Sequence, residues 1–515
     1  NSTLALALCT TAFTSVQAQP GALDPSFGNA GIVTMAPGDL HDVAYGILAL
    51  GDGSSVICGA THINGNNAMF VAHILENGHA DESWGTNSGY TFFNIGEEAY
   101  AYDLARDGNN RIVLCGLAYP TFAQSVIVVA RVDEFGQPDA GFGTDGVKQI
   151  AIESANAEAH GIITLADNSM VVTGSTDVNG DSDVLFARLK QDGNLDGGFG
   201  AGAGYVVVPS PGTYEYLWDI GLSTDGPYIG VGYYDDNGVQ RTLMHAVDAQ
   251  GVPVSTFGTN GVARPDLGTN EDRAFSILME SNKFFIGGLI GAPNFEQDMF
   301  VARFGGDGNI LTDFGTQGIS TVDNDVIDVC YAITKQPDGA IVLAGTTGSG
   351  GFAGPRDFMI ARIDAVGVLD NTFDADGIVT TSIQEDFDDA SAVAIQPDGK
   401  IIAAGFTSGF SIGTDNDIAM TRYLVDGTLD VQTQDTEPGL CILPNPSNGR
   451  TFVTSSLGGP LSVSVFDPAG RKVFSRTSVV LQGARFELPE FSPGQYRVVL
   501  RNANAERSGA LVITN

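Results

Sequence analysis

The chain has 515 residues, of which 43% are hydrophobic, so it can bury a large core and form more than one domain. Its 61 acidic and 24 basic residues give a formal charge of −37, which repels nucleic acid and anionic membranes and argues against both as partners. The charge is uneven, because residues 19–437 carry a net −41 and residues 438–515 a net +4.

The chain begins with a segment that predicts export. Residues 1–18 are rich in Thr, Ala and Leu and end in Val16-Gln17-Ala18, which is typical of a signal-peptidase cleavage site. We expect a partial signal peptide here, and Leu8 before Cys9 argues against a lipoprotein signal. No later stretch reaches the ~18 apolar residues of a transmembrane segment. The sequence therefore predicts an exported protein that is soluble or anchored by other means.

The cysteines indicate neither a disulfide framework nor a metal. Cys58 and Cys115 each precede a Gly at a place where other repeats have Ala or Thr, which suits a small buried side chain. No C-x-x-C pair is present, so zinc and thiol redox chemistry have no support.

From residue 19 a cassette returns every 57 to 59 residues, and an aromatic residue followed by Gly or Asp marks each return. The marked pairs are Phe27-Gly28, Trp84-Gly85, Phe142-Gly143, Phe199-Gly200, Phe257-Gly258, Phe314-Gly315 and Phe373-Asp374. Each cassette holds four β-branched runs separated by turn residues such as Asp-Gly, which predicts four antiparallel strands. The sequence therefore predicts an all-β fold.

The ends of the repeat region favour a closed ring. The chain enters with a fourth-strand pattern at residues 31–35 and leaves after a third-strand pattern at residues 418–424. The entering strand is expected to complete the last sheet, which removes exposed edges. We predict a seven-bladed β-propeller over residues 19–430.

These residues resemble the delta-60 bacterial repeat. Its L-D-x-x-F-G run matches residues 23–28, and its Q-P-D-G-K-I run matches residues 396–401. The resemblance covers about four fifths of the chain and implies a propeller-like fold, but no activity.

After a predicted linker at residues 431–439, residues 440–515 have a different pattern. Alternating apolar runs punctuated by Pro and Gly predict a small immunoglobulin-like β-sandwich. The segment resembles the type A sorting domain of the type IX secretion system of Bacteroidota, through a motif that comprises Pro444, Asn445, Pro446, Gly449, Asp467, Gly470, Arg471, Gly494 and Tyr496. That resemblance implies passage through the translocon, cleavage by a sortase-like peptidase, and release or surface attachment. An ordinary binding module is the alternative.

Basic residues recur near the end of each third strand and are interpreted as structural turn clamps, because Arg forms fixed two-point contacts with carboxylates. The clamp residues are Arg131, Arg188, Arg303, Arg362 and Arg422, and His73 and His245 are assigned to the same place. Asp338, Asp370, Asp398 and Asp430 are the expected partners.

Acidic residues recur at the start of each first strand, which lines the channel of a propeller. They are Asp42, Glu97, Glu158, Glu215, Asp272, Asp328 and Asp388. We expect either an acidic channel mouth that attracts cations or simply solvated carboxylates. Large side chains follow three residues later in most repeats, and inter-blade packing explains them better than ligand stacking. They include Tyr45, Tyr100, Trp218, Phe275 and Tyr331, with His160 in the same place.

Two further features are candidate binding sites. Asp177, Asn179, Asp181 and Asp183 alternate as in a calcium loop, but Gly at the sixth position and Glu at the twelfth are missing, so calcium is a weak candidate cofactor. The departure from the repeat at residues 209–218 carries Tyr214, Tyr216 and Trp218, which are candidates for stacking on a glycan or protein ligand. Tolerated sequence drift that packs against a neighbouring blade is the alternative.

Three functions are compatible with these patterns. The first is a secreted or surface-displayed, non-enzymatic binding or scaffold propeller. The second is a hydrolase of polysaccharide or peptide with carboxylates at the channel mouth, although no H-E-x-x-H, G-x-S-x-G or Walker motif is present. The third is a structural subunit of a surface assembly.

Overall fold

The computed structural model describes residues 19–210, 213–268, 271–291, 296–349, 354–384, 387–408, 416–425, 440–443, 451–455, 460–466, 471–480, 486–489, 491–502 and 506–513. The predicted signal peptide and linker lie outside these residues. The chain divides into two compact parts, residues 1–427 and 428–515. Among the described residues the regular elements are strands, apart from one short 3-10 turn at Gly200–Gly202, so the all-β prediction is confirmed.

In the first part the strands form antiparallel groups of four, which we call repeats and number in chain order. Repeats 1 to 3 consist of β2 (Leu40–Ala49), β3 (Ser55–Ile63), β4 (Asn66–Ile74) and β5 (Tyr90–Phe93); β6 (Glu98–Arg106), β7 (Ile112–Thr121), β8 (Gln124–Val132) and β9 (Val147–Ile150); and β10 (Ala157–Thr164), β11 (Met170–Thr176), β12 (Asp183–Leu189) and β13 (Tyr205–Val208).

The next repeats have the same order. Repeats 4 to 6 consist of β14 (Glu215–Leu222), β15 (Tyr228–Asp236), β16 (Val239–Val247) and β17 (Val262–Ala263); β18 (Asp272–Glu280), β19 (Lys283–Gly291), β20 (Gln297–Gly305) and β21 (Ile319–Val322); and β22 (Ile327–Lys335), β23 (Ile341–Gly348), β24 (Asp357–Ile363) and β25 (Ile378–Thr381). Single parallel bridges join β4 to β6 and β20 to β22.

The last repeat is built from both ends of this part of the chain. It comprises β26 (Phe387–Ile395), β27 (Ile401–Ser408), β28 (Asn416–Tyr423) and β1 (Ile32–Met35). Strand β1 pairs antiparallel with β28, with Ile32 opposite Thr421. The backbone of Gly21 also bonds Leu424 O at 2.7 Å, so the segment that precedes β1 supplies the turn of repeat 7 as well.

The apolar core lies between consecutive repeats rather than within one of them. Each of seven clusters of buried side chains combines the facing sides of two neighbouring repeats. In one of these clusters, Ile402 and Met420 of repeat 7 pack with Ile57 and Phe70 of repeat 1. Because each repeat buries one face of its sheet against the preceding repeat and the other against the following one, it depends on both neighbours for its stability.

The aromatic–Gly pairs are the joints between repeats. The aromatic ring is buried, as for Phe27 and Phe142, and the next amide donates to a turn carbonyl of the following repeat. Gly143, for example, bonds Asp192 O at 3.0 Å with a φ of +56°, and a Cβ there would lie 2.1 Å from Val147 O. A positive φ favours Gly, which explains the marker in the sequence, and Asp374 holds the same place of repeat 6 with a φ of +46°.

The second part is a small two-sheet sandwich. One sheet holds β29 (Leu440–Leu443), β30 (Thr451–Ser455) and β33 (Phe486–Leu488), and the other holds β31 (Pro460–Phe466), β32 (Lys472–Val480), β34 (Gly494–Arg501) and β35 (Glu506–Ile513). Val453 and Leu488 from the first sheet pack with Val463 and Leu500 from the second.

Candidate functional site

The first strand of each repeat is its inner strand, because it contacts the inner strands of both neighbours. Every inner strand contains a β-bulge against the second strand. A Gly of the second strand lies opposite, and a Cβ on Gly116 would be 1.8 Å from Tyr100 O. A bulge redirects the side chain of the residue that it leaves unpaired. The bulged residue therefore determines which side chain meets the neighbouring inner strands.

The bulged residues form a row of planar side chains that we call the aromatic belt. Its members are Tyr45, Tyr102, His160, Trp218, Phe275 and Tyr331. Neighbouring ring centroids are 5.3, 4.5, 4.4, 5.6 and 5.8 Å apart in that order. In repeat 7 the bulge holds Ala390 and Ser391 instead, which leaves a gap in the belt.

The belt corrects one assignment made from the sequence. Tyr102 occupies the belt position of repeat 2, and Tyr100 does not. The hydroxyl of Tyr100 instead donates to Glu98 at 2.5 Å and accepts from Asn67 at 2.6 Å. Counting three residues from Glu97 fails, because Ala99 stands in repeat 2 where repeats 1, 4, 5, 6 and 7 have their acid.

Two carboxyl groups follow the belt residues of repeats 2 and 4. Asp103 accepts hydrogen bonds from Leu104 N at 2.7 Å and from Ile162 N of the next repeat at 2.9 Å. Asp219 bonds in the same way to Ile220 N at 2.7 Å and Ile277 N at 2.8 Å. Each of these aspartates therefore ties its bulge to the bulge of the next repeat.

Their surroundings favour the neutral form. Burial, and then the charge of Asp219, raise the pKa of Asp103 to about 8, although the two amides oppose this. Burial also raises the pKa of Asp219 to about 6, against the hydrogen bonds from Ile277, Ile220 and Ser276. The sequence analysis missed both residues, and alignment of the repeats on the second-strand Gly would have placed them beside the belt.

The raised pKa values predict a pH-dependent stability. Carboxyl groups of the unfolded chain titrate at about pH 4, whereas Asp103 in the folded chain titrates at about pH 8. Between these two values the folded state binds more protons than the unfolded state. The free energy of unfolding is therefore expected to fall as the pH rises through this window, and Asp103→Asn to flatten the slope. Urea unfolding of the parent and the variant between pH 5 and 8.5 measures the slope of the unfolding free energy against pH. Asp139→Asn is the control, since the pKa of Asp139 is lowered, and an equal flattening there would contradict the assignment.

The prediction of an acidic channel mouth is wrong for most of the residues assigned to it. Five of these residues are buried, with at most 1% of the surface of each exposed: Asp42, Glu215, Asp272, Asp328 and Asp388. Glu97 and Glu158 are half-buried, and Ala99 and Ala157 hold the corresponding buried places of repeats 2 and 3. The strand-entry position faces the neighbouring repeat rather than the solvent.

These buried acids organise the loops between repeats. Asp272 accepts from Thr242 N at 2.8 Å and pairs with Arg241 at 3.3 Å. Asp388 accepts from Ile383 N at 2.6 Å, and burial raises its pKa. Burial opposes ionisation of Glu215 too, but His245 and Arg264 outweigh it and lower its pKa.

The predicted clamp arginines pair with the carboxylate of the following turn. The side-chain contacts are Arg131–Asp139 at 2.9 Å, Arg188–Asp196 at 3.3 Å, Arg362–Asp370 at 2.7 Å and Arg422–Asp24 at 2.9 Å, and His73–Asp81 is similar at 3.0 Å. Arg303 reaches Glu280 at 2.6 Å and Asp313 at 3.4 Å instead. Several of these arginines also donate to the next repeat, as Arg131 does to Gln191 O at 2.5 Å.

Three details of the clamp differ from the sequence assignment. Ala246, and not His245, stands in the clamp position of repeat 4, where Val254 replaces the turn acid. His245 lies 3.3 Å from Glu215. Of the proposed partners, Asp370 meets its arginine, whereas Asp398 pairs with Lys400 at 2.9 Å and Asp338 accepts from Ala340 N; Asp430 lies outside the described residues.

The aromatic residues of the 209–218 segment lie in three environments. Tyr214 is 53% exposed, Tyr216 contacts Tyr233 with ring centroids 5.3 Å apart, and Trp218 belongs to the belt. Only Trp218 therefore lies in the row of planar side chains.

The weak calcium candidate does not converge on one centre. Asp177 accepts from both nitrogens of Asn156, at 2.7 and 2.8 Å. Asp183 is buried between Asn179 Nδ2 at 2.6 Å and Ser210 N at 2.7 Å. Asp181 has a polar contact of its own. Protein N–H donors thus occupy the oxygens of Asp177 and Asp183.

Of the sorting-domain motif, Arg471, Gly494 and Tyr496 are described. The Tyr496 hydroxyl donates to Ser492 O at 2.8 Å, and its ring lies 5.0 Å from that of Phe491. Pro444, Asn445, Pro446, Gly449, Asp467 and Gly470 lie outside the described residues.

The fold and the repeated motif define a β-propeller-repeat protein with an export domain. Residues 165–199, 336–373 and 396–432 match the family described as "Domain of unknown function (DUF5122) beta-propeller", and residues 441–514 match the "Secretion system C-terminal sorting domain". The chain contains delta-60 repeats and a C-terminal sorting domain of the type IX secretion system, as the sequence predicted. The sorting domain indicates secretion to the cell surface or beyond.

No curated protein matches this sequence. Among solved structures, Sqt1 from Chaetomium thermophilum is 13% identical, with 82% of this chain and 96% of that chain covered and a TM-score of 0.41. A neuraminidase-like protein of subtype N11 from a flat-faced bat virus sample in Peru is 10% identical, with 76% and 96% covered and a TM-score of 0.36. At these identities and TM-scores the similarity does not indicate a function. In the part of the chain that is described, no helix is long and apolar enough to span a membrane.

Proposed function

We propose that the repeats are the seven blades of one closed propeller, over residues 19–430, followed by a linker at 431–439 and an immunoglobulin-like sorting domain at 440–515. The pairing of β1 with β28 and the apolar cluster between repeats 7 and 1 support closure. The contacts of each inner strand with both neighbouring inner strands support a central channel.

The proposed function is non-enzymatic binding of an extracellular glycan or protein ligand in this channel. The observation that carries it is the aromatic belt, in which the bulge residues of six consecutive inner strands carry planar side chains that contact one another. Flat, partly exposed rings such as Trp218 and Phe275 present faces on which sugar rings or apolar side chains stack. The gap at Ser391 gives the belt one open side.

The structure supports ligand binding better than it supports a hydrolase that uses carboxylates at the channel mouth. A glycosidase typically places two carboxyl groups on either side of the scissile bond. Asp42, Asp272 and Asp388 are instead buried: Asp42 accepts from the Thr61 hydroxyl, Asp272 from Thr242 N, and Asp388 Oδ2 from Ile383 N. Their geometry suits a structural role.

The sorting domain supports the cellular context of this proposal. We infer that the type IX translocon and a sortase-like peptidase recognise residues 440–515. The propeller then acts either attached to the surface or released from it.

Trp218 provides a test of channel binding. The chain has two Trp residues, so in a Trp84→Phe background the fluorescence reports the belt alone. We expect glycan or peptide hits from an array screen of the full chain to change this fluorescence, and Trp218→Ala to weaken binding by about tenfold, in line with ~1.5 kcal/mol for an aromatic stack.

Phe122→Ala is the matched control, because Phe122 is an aromatic residue 72% exposed on the β7–β8 hairpin, away from the inner strands. Hits that bind Trp218→Ala and Tyr102→Ala as tightly as the parent would contradict a binding site at the belt. Turnover of a hit that is lost on changing Asp103 and Asp219 to Asn would contradict the non-enzymatic assignment.

A further inference from the structure

The inner strand of repeat 7 interrupts the aromatic belt. The register of β26 with β27 places Ser391 where the register of β22 with β23 places Tyr331 in repeat 6. Strand β26 contacts both β22 of repeat 6 and β2 of repeat 1. The gap in the belt therefore lies between Tyr331 and Tyr45, which are its two ends.

Each end of the belt lacks one ring neighbour. Tyr331 contacts the ring of Phe275, and Tyr45 contacts that of Tyr102, but among the described residues neither has a ring contact toward repeat 7. Consecutive belt centroids are 4.4 to 5.8 Å apart, so the two steps across repeat 7 leave room for one ring stacked between the two tyrosines. Both tyrosines and Ser391 are half-buried, so each keeps surface on which a ligand can pack.

A carboxyl group lies beside this gap. In repeat 6 the residue two places before the belt is Val329, which belongs to an apolar cluster against which the rings of Phe275 and Tyr331 pack. That position thus lies beside two consecutive belt members. Asp389 holds it in repeat 7, next to Tyr331 and the missing ring. Burial, and then the charge of Asp389, raise the pKa of Tyr331, as expected for neighbours.

Asp389 also indicates a ligand independently of the belt. Its side chain is buried, at 6% exposed, and Oδ1 has no hydrogen-bond partner among the described residues. Burial raises the pKa of Asp389, against smaller effects of Arg356 and the Thr346 hydroxyl. That hydroxyl has a single hydrogen, and the carbonyl oxygens of Asp357 and Asp388 lie 3.3 and 3.2 Å away to accept it. A buried carboxyl oxygen without a donor is destabilising, and a ligand that donates to it removes this cost.

We propose that a sugar ring of a glycan ligand occupies the gap, stacked between Tyr331 and Tyr45, and donates a hydroxyl hydrogen to Asp389. This inference rests on the proposed ligand binding at the belt and assigns that site to glycans. A sugar ring offers a flat C–H face to the tyrosine rings and hydroxyl donors to the carboxyl group. An apolar side chain of a protein ligand would fill the same space but leave Asp389 Oδ1 without a donor.

Filling the gap tests the site. Ser391→Tyr introduces the side chain that repeats 1, 2 and 6 carry at this position, so it is expected to fold normally, which circular dichroism checks. The full chain is screened on an array of mono- to tetrasaccharides, and isothermal titration calorimetry measures the affinity of each hit. We expect Ser391→Tyr to weaken glycan binding at least tenfold. Val366→Tyr adds the same ring on an exposed turn of repeat 6 and is the control, expected to bind like the parent.

Asp389→Val tests the hydrogen bond separately. It copies Val329 of repeat 6, and we expect it to weaken glycan binding at least tenfold while the urea midpoint stays equal or rises, because a buried carboxyl group is removed. A carboxyl group with a purely structural role would lower the midpoint and leave the affinity unchanged.

The inference is overturned if the parent binds no glycan of the array, or if the hits bind Ser391→Tyr and Asp389→Val as tightly as the parent. Such hits, if they still depended on Trp218, would leave ligand binding at the belt intact and exclude only the gap. Ligands at the belt that are exclusively peptides would do the same. Hits that depend on neither Trp218 nor the two gap residues would contradict the proposed function as well.

Discussion

Replacing Arg422 with Ala is expected to destabilise the propeller part by about 3 kcal/mol or more, the usual cost of leaving one member of a buried ion pair without its partner. The side chains of Arg422 and Asp24 are 1% and 5% exposed and meet at 2.9 Å. Arg422 also donates to Glu76 O of repeat 1 at 2.5 Å and covers the Phe27 ring at 4.8 Å. One side chain thus joins the last repeat, the N-terminal segment and the first repeat.

The same arginine position elsewhere provides the control. Arg188 is 18% exposed and lies 3.3 Å from Asp196, within a continuous stretch of chain, so Arg188→Ala is expected to cost about 1 kcal/mol. Urea unfolding of both variants measures the difference. An Arg422 variant no less stable than the Arg188 variant would show that ring closure does not depend on this contact.

The closing contact also has a predicted pH dependence. Burial would raise the pKa of Asp24, but the Ser26 hydrogen bonds and the charges of Arg422 and Lys400 lower it overall. Because the folded pKa is the lower one, its contribution to stability is present above about pH 4, where unfolded carboxyls titrate, and is lost as the pH falls below that value.

Truncation at Thr436 is expected to abolish surface delivery and leave the propeller in the periplasm. The sorting match begins at residue 441 and the first compact part ends at residue 427, so the truncation removes the export domain and leaves every repeat intact. Cell fractionation of a type IX-secreting host, with protease accessibility of intact cells, measures the outcome.

The reciprocal fusion separates folding from sorting. Residues 437–515 attached to a periplasmic reporter are expected to carry it to the surface. The sorting assignment would be contradicted if the truncated chain reached the surface normally, or if the fusion remained in the periplasm while the full chain was exported.

Local sequence chemistry determined the strand order of each repeat and the joints between repeats. Asp-Gly turns and the aromatic–Gly pairs act within a few residues of themselves, so their spacing was enough to place four strands per cassette and the strand that enters at residues 31–35. The separate pattern after residue 440 likewise identified the export domain.

The tertiary structure decided which side chains meet. In repeat 2 the count started from Glu97, which lies two residues before the strand-entry position of Ala99, so Tyr102 rather than Tyr100 enters the belt. The bulge then brings Asp103 within hydrogen-bond reach of Ile162 in another repeat. Burial of the strand-entry acids depends on a neighbouring repeat about 57 residues away, which no local pattern records. For the same reason local sequence could not reveal that Arg422 pairs with Asp24, which lies near the other end of the repeat region.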